Sequence, residues 1–99
     1  MNKDELIQTK LIYKRQYEIN LEKIKKYENY IQLSEIKQIY NNVDNINEKN
    51  IKLILDKIMN YLNIKKVPKG NFDEILDIIY NLISYEIKHK YTEQVIKNS

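Results

Sequence analysis

The sequence predicts an all-α domain spanning residues 1–99, an antiparallel bundle of about four helices with long first and last members. Three observations predict it. From Ile75 to Ile83, seven of nine positions are apolar, and a helix apolar nearly all round is enclosed on several sides. No run alternates apolar and polar residues over strand length, and no two-residue hairpin signal occurs. The single Gly and the single Pro both fall between Lys65 and Gly70, so the strongest breakers punctuate one place only.

Residues 3 to about 32 read as one long helix. Tyr13, Tyr17, Leu21, Ile24, Tyr27 and Ile31 follow at three- and four-residue steps. Tyr17, Ile24 and Ile31 take heptad a positions, with Tyr13, Asn20 and Tyr27 at d. Two heptads with Tyr and Asn in the seam are too few for a coiled coil. At about 1.5 Å per residue such a helix reaches about 45 Å. Either it breaks, or its end projects and finds a partner. Glu22 and Lys26 form a favourable i,i+4 pair on its wet side.

Ser34 suits an N-cap for the second helix, with Glu35 in its first turn. Ile36, Ile39, Tyr40 and Val43 give a short amphipathic stripe. Asn41-Asn42 and Asp44-Asn45 then end it, because Asn and Asp bond their own backbone in turns. Asn47 can cap a third helix from Glu48 to about Asn63. Its stripe is Ile51, Ile54, Leu55, Ile58 and Leu62, with Met59 and Tyr61 alongside. After the Lys65–Gly70 loop, Asn71 and Glu74 have the spacing of a capping box. The last helix runs through Ile87 to about Ile96, with Glu86–Lys90 and Glu93–Lys97 as i,i+4 pairs.

Composition limits the function classes. The chain has 99 residues, 42% of them hydrophobic, and a net charge of +3 with both signs interspersed. A chain this short buries a thin core, and oligomerisation is an ordinary remedy. Ile, Lys, Asn and Tyr dominate and Ala is absent, a bias expected of an A+T-rich genome. With no Cys there is no disulfide framework, thiol nucleophile or thiolate metal site. No apolar run approaches the roughly 18 residues of a membrane span, and no apolar leader is visible. A cytoplasmic protein without a transmembrane segment is the expectation.

The chemistry-bearing residues each have a plainer reading. Glu86 and His89 match the Glu-x-x-His pair of di-iron bundles, but those sites need two such pairs and two further Glu. His89 also stands between Lys88 and Lys90, so a solvated basic helix face is the better reading. Asp44 to Leu55 can be laid over a calcium loop, yet Lys49 stands where Gly is required and Leu55 replaces the bidentate Glu. The pairs Glu18/Glu22 and Asp73/Asp77 lack the contrasting environments of acid–base catalysis; Asp73 instead complements a helix dipole. Ser84 has no base on its face of the helix, and Gly70 is alone. The expectation is no enzyme, no catalytic residue, no cofactor and no metal.

Two basic patches remain: Lys23, Lys25 and Lys26 beside Tyr27 and Tyr30, and Lys65, Lys66 and Lys69 after the third helix. Lysines beside aromatics can serve a phosphate backbone and stacked bases. They can also meet an anionic membrane surface, or simply lie in water. Tyr is favoured at interfaces, and there are nine. Tyr13, Tyr17, Tyr27 and Tyr61 fall on apolar stripes and belong to the core.

The segments LSEIKQIYNNV, NIKLILDKIMNYL, IKKVPKGN and FDEILDIIYNLIS follow in an order that resembles the class IIa bacteriocin immunity proteins. The resemblance lies in helix spacing and apolar pattern from Ser34 onward. It implies a small, basic, antiparallel four-helix bundle that acts without catalysis inside the producing cell, against a bacteriocin docked on its membrane receptor. It carries no functional residue across.

The leading reading is a non-enzymatic helical protein that binds another protein, as a monomer or a homodimer, with bacteriocin immunity as its narrower form. The alternative is a small nucleic-acid-associated protein. Candidate contacts for a partner or a phosphate are Lys23, Lys25, Lys26, Tyr30, Lys65, Lys66 and Lys69.

Overall fold

The structure is a computed structural model that describes residues 2–41 and 48–98. Among these residues there are four α-helices: α1 (Lys3–Ile24), α2 (Leu33–Asn41), α3 (Glu48–Ile64) and α4 (Phe72–Lys97). Single 3-10 turns lie at Lys25–Tyr27 and Lys69–Asn71. No strand occurs among the described residues.

Helix α1 opens on Asn2, whose side chain accepts from the Glu5 N–H at 2.8 Å, with Asp4 and Glu5 in the first turn. An Asn cap and early carboxylates both satisfy the positive end of a helix. The a/d seam is real, but its partner is α4 of the same chain. Tyr27 at the end of α1 donates to Glu74 at the start of α4. Tyr13 lies 6.2 Å, ring to ring, from Tyr85 further along. Ile7 shares a groove with Ile96. The two long helices therefore run antiparallel along most of their lengths.

The first helix stops earlier than its periodicity predicts. It ends at Ile24, tightens into the 3-10 turn, and reverses through residues 28–32. The Ile31 N–H bonds back to the Tyr27 carbonyl at 3.1 Å. A continuous helix would carry Ile31 about 10 Å past Ile24, beyond the start of α4. Turning back buries both Tyr27 and Ile31, each 3% exposed. Core burial decides against the longer helix.

Helix α2 begins at Leu33, and the carbonyl of Gln32, not Ser34, receives its first bonds, from the N–H groups of Glu35 and Ile36. The Tyr61 hydroxyl accepts from the Gln32 N–H at 3.3 Å, which fixes the entry before Ser34 is reached. Ile36 and Tyr40 are buried as their stripe predicts. Val43, the Asn42–Asn45 turn, the Asp44 end of the rejected calcium loop and the Asn47 cap lie outside the described residues.

On α3, Ile51, Ile54, Ile58, Tyr61 and Leu62 are buried and Leu55 packs against them, while Met59 is exposed. The helix ends in a Schellman motif. Lys66 is left-handed at φ 58, the Val67 N–H bonds to the Leu62 carbonyl, and the Lys66 N–H bonds to that of Asn63. Val67 is buried and Pro68 prevents continuation. The expected Asn71–Glu74 capping box is not made. Asn71 sits in the 3-10 turn with no side-chain cap bond, and the Glu74 carboxylate is drawn to Tyr27 instead.

Helix α4 contributes Ile75, Ile78, Ile79, Leu82 and Ile83 to the core. The enclosure is not complete, because Tyr80 stays 43% exposed. Beyond Ile87 on α4 and before Tyr17 on α1, no hydrophobic side chain belongs to the core cluster. α2 and α3, of nine and 17 residues, cover half of the long pair. The other half leaves the bundle as a two-helix arm, within overall extents of 47 × 26 × 19 Å. No helix among the described residues is long and apolar enough to cross a membrane.

Candidate protein-docking site

The reversal after α1 creates a cleft of about 960 Å³ between the outer face of α1 and the start of α2. Its floor is apolar: Leu21, Ile24, Ile31 and Leu33. Its rim carries Arg15, Lys23 and Lys25 against Glu18, Glu22 and Glu28. The open surface of the floor comes from the half-buried Leu21 and Leu33, on either side of the turn, while Ile24 and Ile31 beside them are nearly fully buried in the core. The rim exists because the exposed positions in the second half of α1, Lys14, Arg15, Glu18, Glu22 and Lys23, are all charged.

All seven candidate residues lie at this same pole of the bundle. Contacts between residues 26–35 and residues 61–74 tie the two basic patches together: Gln32 to Tyr61, Lys65 to Glu35, and Lys26 to Glu74. Within the pole the seven play different parts. Lys23 and Lys25 stand on the cleft rim. Lys25 pairs with Glu22 at 2.9 Å, so the expected Glu22–Lys26 pair is replaced by an i,i+3 pair. The reason is the 3-10 turn, which narrows the spiral and swings Lys26 away, 3.6 Å from Glu74. Lys65 reaches Glu35 at 3.3 Å and lies over the Tyr61 ring. Tyr30 is exposed on the turn. Lys66 and Lys69 are exposed on the α3–α4 loop and make no ion pair among the described residues.

Carboxylates thus accompany the lysines throughout. Glu22, Glu28, Glu35, Asp73 and Glu74 share the pole with the six lysines. The hydrogen bond from Tyr27 holds the Glu74 carboxyl below its usual range, with Lys26 and Lys23 adding to it, and the same bond raises the Tyr27 phenol. Hydrogen bonding and charge from Glu22 raise the Lys25 ammonium. Burial raises Tyr61, with Glu35 adding to it. A phosphate backbone entering here would have to displace these partners.

The Tyr27–Glu74 bond joins the end of α1 to the start of α4 and so sets how the pole closes. Tyr27→Phe keeps the ring and removes the bond. It is expected to lower the urea midpoint near neutral pH, and to lower it much less at about pH 3. The carboxyl of Glu74 has a depressed folded-state pKa. Its contribution is therefore complete above the unfolded carboxyl value and is lost as pH falls through the lower, folded one. Equal losses at both pH values would show that the charge on Glu74 contributes nothing.

Away from the pole, the Glu86–His89 pair is divided. Glu86 lies 3.3 Å from Lys90 through Oε1, beside the buried Tyr40, whose phenol is pushed well up by burial and by this carboxylate. His89 lines a groove beside Ile7 and Leu11. The Glu93–Lys97 pair forms as its spacing predicts, at 3.7 Å. Among the described residues no group of three or more His, Asp or Glu is placed to hold a metal ion.

Sequence patterns did not identify the cleft. Arg15 and Glu28 carry no motif, Glu18 reads only as half of the Glu18/Glu22 pair, and the turn at 28–32, dictated by packing, makes them a rim. The weak local signal was Asn29, a turn-favouring residue in a stretch otherwise helical. Compared with protein-family models, curated proteins and solved structures, the chain matches none of them.

Proposed function

We propose that this protein acts without catalysis, by docking an amphipathic helix of another protein into the cleft between α1 and α2. The observation that carries this is the pairing of an apolar floor with a rim of both charges. Helix-in-groove recognition uses apolar anchors at i, i+3, i+4 and i+7, with charges alongside that fix register. The volume alone lies within the range of small-molecule pockets; it is the rim of both charges beside the apolar floor that favours a helical segment over a small metabolite. Bacteriocin immunity is a narrower form of this reading, in which the bound helix belongs to the bacteriocin–receptor complex.

A photo-crosslinking residue at Glu18 or Glu28 is expected to trap one protein in host cells, and the same residue at Lys57 on α3 is expected to trap none. The rim variant Arg15→Glu with Glu18→Lys, both at exposed positions, is expected to lose the trapped species while keeping its helical circular dichroism. Trapping that persists in the rim variant would remove the cleft from the account. Recovery of nuclease-sensitive complexes, with affinity falling steeply as salt rises, would favour the nucleic-acid reading instead.

A further inference from the structure

We propose that the two-helix arm is a dimerisation element, and that its apolar groove is closed by the arm of a second copy of this chain. Among the described residues, the arm consists of the first half of α1 and the last third of α4, with nothing from α2 or α3 in its core. Two helices cannot enclose a core between them, and the leftovers are visible. Ile7 is 39% exposed and Leu11, one turn on, 52%. They line a groove of about 310 Å³ with Ile96 of α4.

The occupant follows from the topology and the charges. A bundle of this kind is completed by four helices, and what is missing is an antiparallel helical pair of matching length and pattern. A second arm is such a pair. The α1 lip of the groove carries Lys10 and Lys14, and the α4 lip carries His89 and Glu93, of which only Glu93 is acidic. A two-fold axis running along the groove, in the plane of contact, lays the α1 lip of one copy along the α4 lip of the other. Lys10 and Lys14 then meet Glu93 twice, by symmetry, as an isologous interface requires. Glu93 is already 3.7 Å from Lys97, but that pair is exposed and contributes little to hold it.

The area sets the strength. About twelve residues of each helix, at about 1.5 Å rise and about 10 Å width, present a face of roughly 20 by 20 Å. Two such faces bury on the order of 800 Å², less than a standard specific interface and in the range of weak, transient ones. Association is therefore expected only at about 10 µM or above.

The test is sedimentation equilibrium on the full chain, from about 1 to 100 µM. Wild type is expected to shift from monomer to dimer across that range. Lys10→Glu with Lys14→Glu, and separately Glu93→Lys, are each expected to weaken the dimer about tenfold or more. Mixing the two variants restores complementarity on both halves of the interface, and a heterodimer of near wild-type affinity is expected. Ile7→Lys with Leu11→Lys, at exposed positions, should abolish dimers with helicity unchanged. The control Leu53→Lys, on the exposed face of α3, should not affect them. A wild type that stays monomeric to about 100 µM would overturn the proposal. So would charge variants that fail to pair when mixed, a dimer lost in Leu53→Lys but kept in Ile7→Lys with Leu11→Lys, or an arm that binds anionic vesicles while remaining monomeric. Because the arm groove and the α1–α2 cleft share no lining residue, loss of dimer leaves cleft crosslinking intact, and either proposal can fail without the other.

Discussion

Ile79→Ala is expected to lower the unfolding free energy by about 3–4 kcal/mol, within the range for large-to-small changes at sites that cannot collapse. Ile79 has no exposed surface and stands in the first third of α4, in the cluster that gathers side chains from all four helices. The substitution removes three carbons from a helix held by neighbours on several sides. A domain of this size has a total stability of about 5–10 kcal/mol, so the variant should retain only about half of it. Urea denaturation should show a lower midpoint with an unchanged slope. Leu53→Ala is the control. Leu53 is 49% exposed on α3, and its truncation is expected to change stability by less than about 0.5 kcal/mol. A loss at Ile79 no larger than at Leu53 would mean that α4 is not the member the others pack around.

How far the sequence determines this arrangement depends on whether a feature is local. The isoleucines of α3 and α4 repeat at helical spacing over several turns, and periodic burial is a property of the helix itself. The Lys65–Gly70 loop was equally legible, since Pro68 stops a helix whatever surrounds it. The errors lie where two distant segments compete for one group. Glu74 has the right spacing to cap α4, but it accepts from Tyr27, 47 positions away. Ser34 is a good cap, but the Tyr61 hydroxyl anchors Gln32 first. The long first helix is cut short because burying Tyr27 and Ile31 requires the chain to reverse. Lys66 takes a left-handed conformation usually given to Gly, and nothing local signals it. The cleft is a product of the same reversal, which is why its rim residues could be named singly, as Glu18, Glu22, Lys23 and Lys25, but not as one rim with Arg15 and Glu28. The assembly of two separate basic patches at one pole likewise depends on contacts between residues about 30 to 50 positions apart.

Asn20→Leu is expected to stabilise the protein by about 1–2 kcal/mol, through removal of a buried acceptor that has no partner. Asn20 is 3% exposed. Its Nδ2 donates to the Gln16 carbonyl at 2.8 Å, one turn back in the same helix. Its Oδ1 is buried and unpartnered. That carbonyl already lies within the helical ladder, so the side-chain bond adds little, whereas the orphaned oxygen costs the water it lost. Leu keeps the same γ-branched skeleton, though with bulkier methyl groups, has a higher helix propensity, and finds apolar neighbours one turn either way in Tyr17 and Ile24. Asn20→Asp, which places a charge in the same setting, is expected to destabilise by at least as much. Equilibrium unfolding of both variants decides the point, and a destabilised Asn20→Leu would mean that Oδ1 is satisfied in solution. Asn20 occupies a d position in the α1 seam, where a lone polar residue can fix register at a cost in stability. On that account the stabilised variant should align α1 on α4 less strictly. The measurable sign is a weaker Tyr27–Glu74 bond, seen as a smaller drop in urea midpoint between neutral and acid pH than wild type shows.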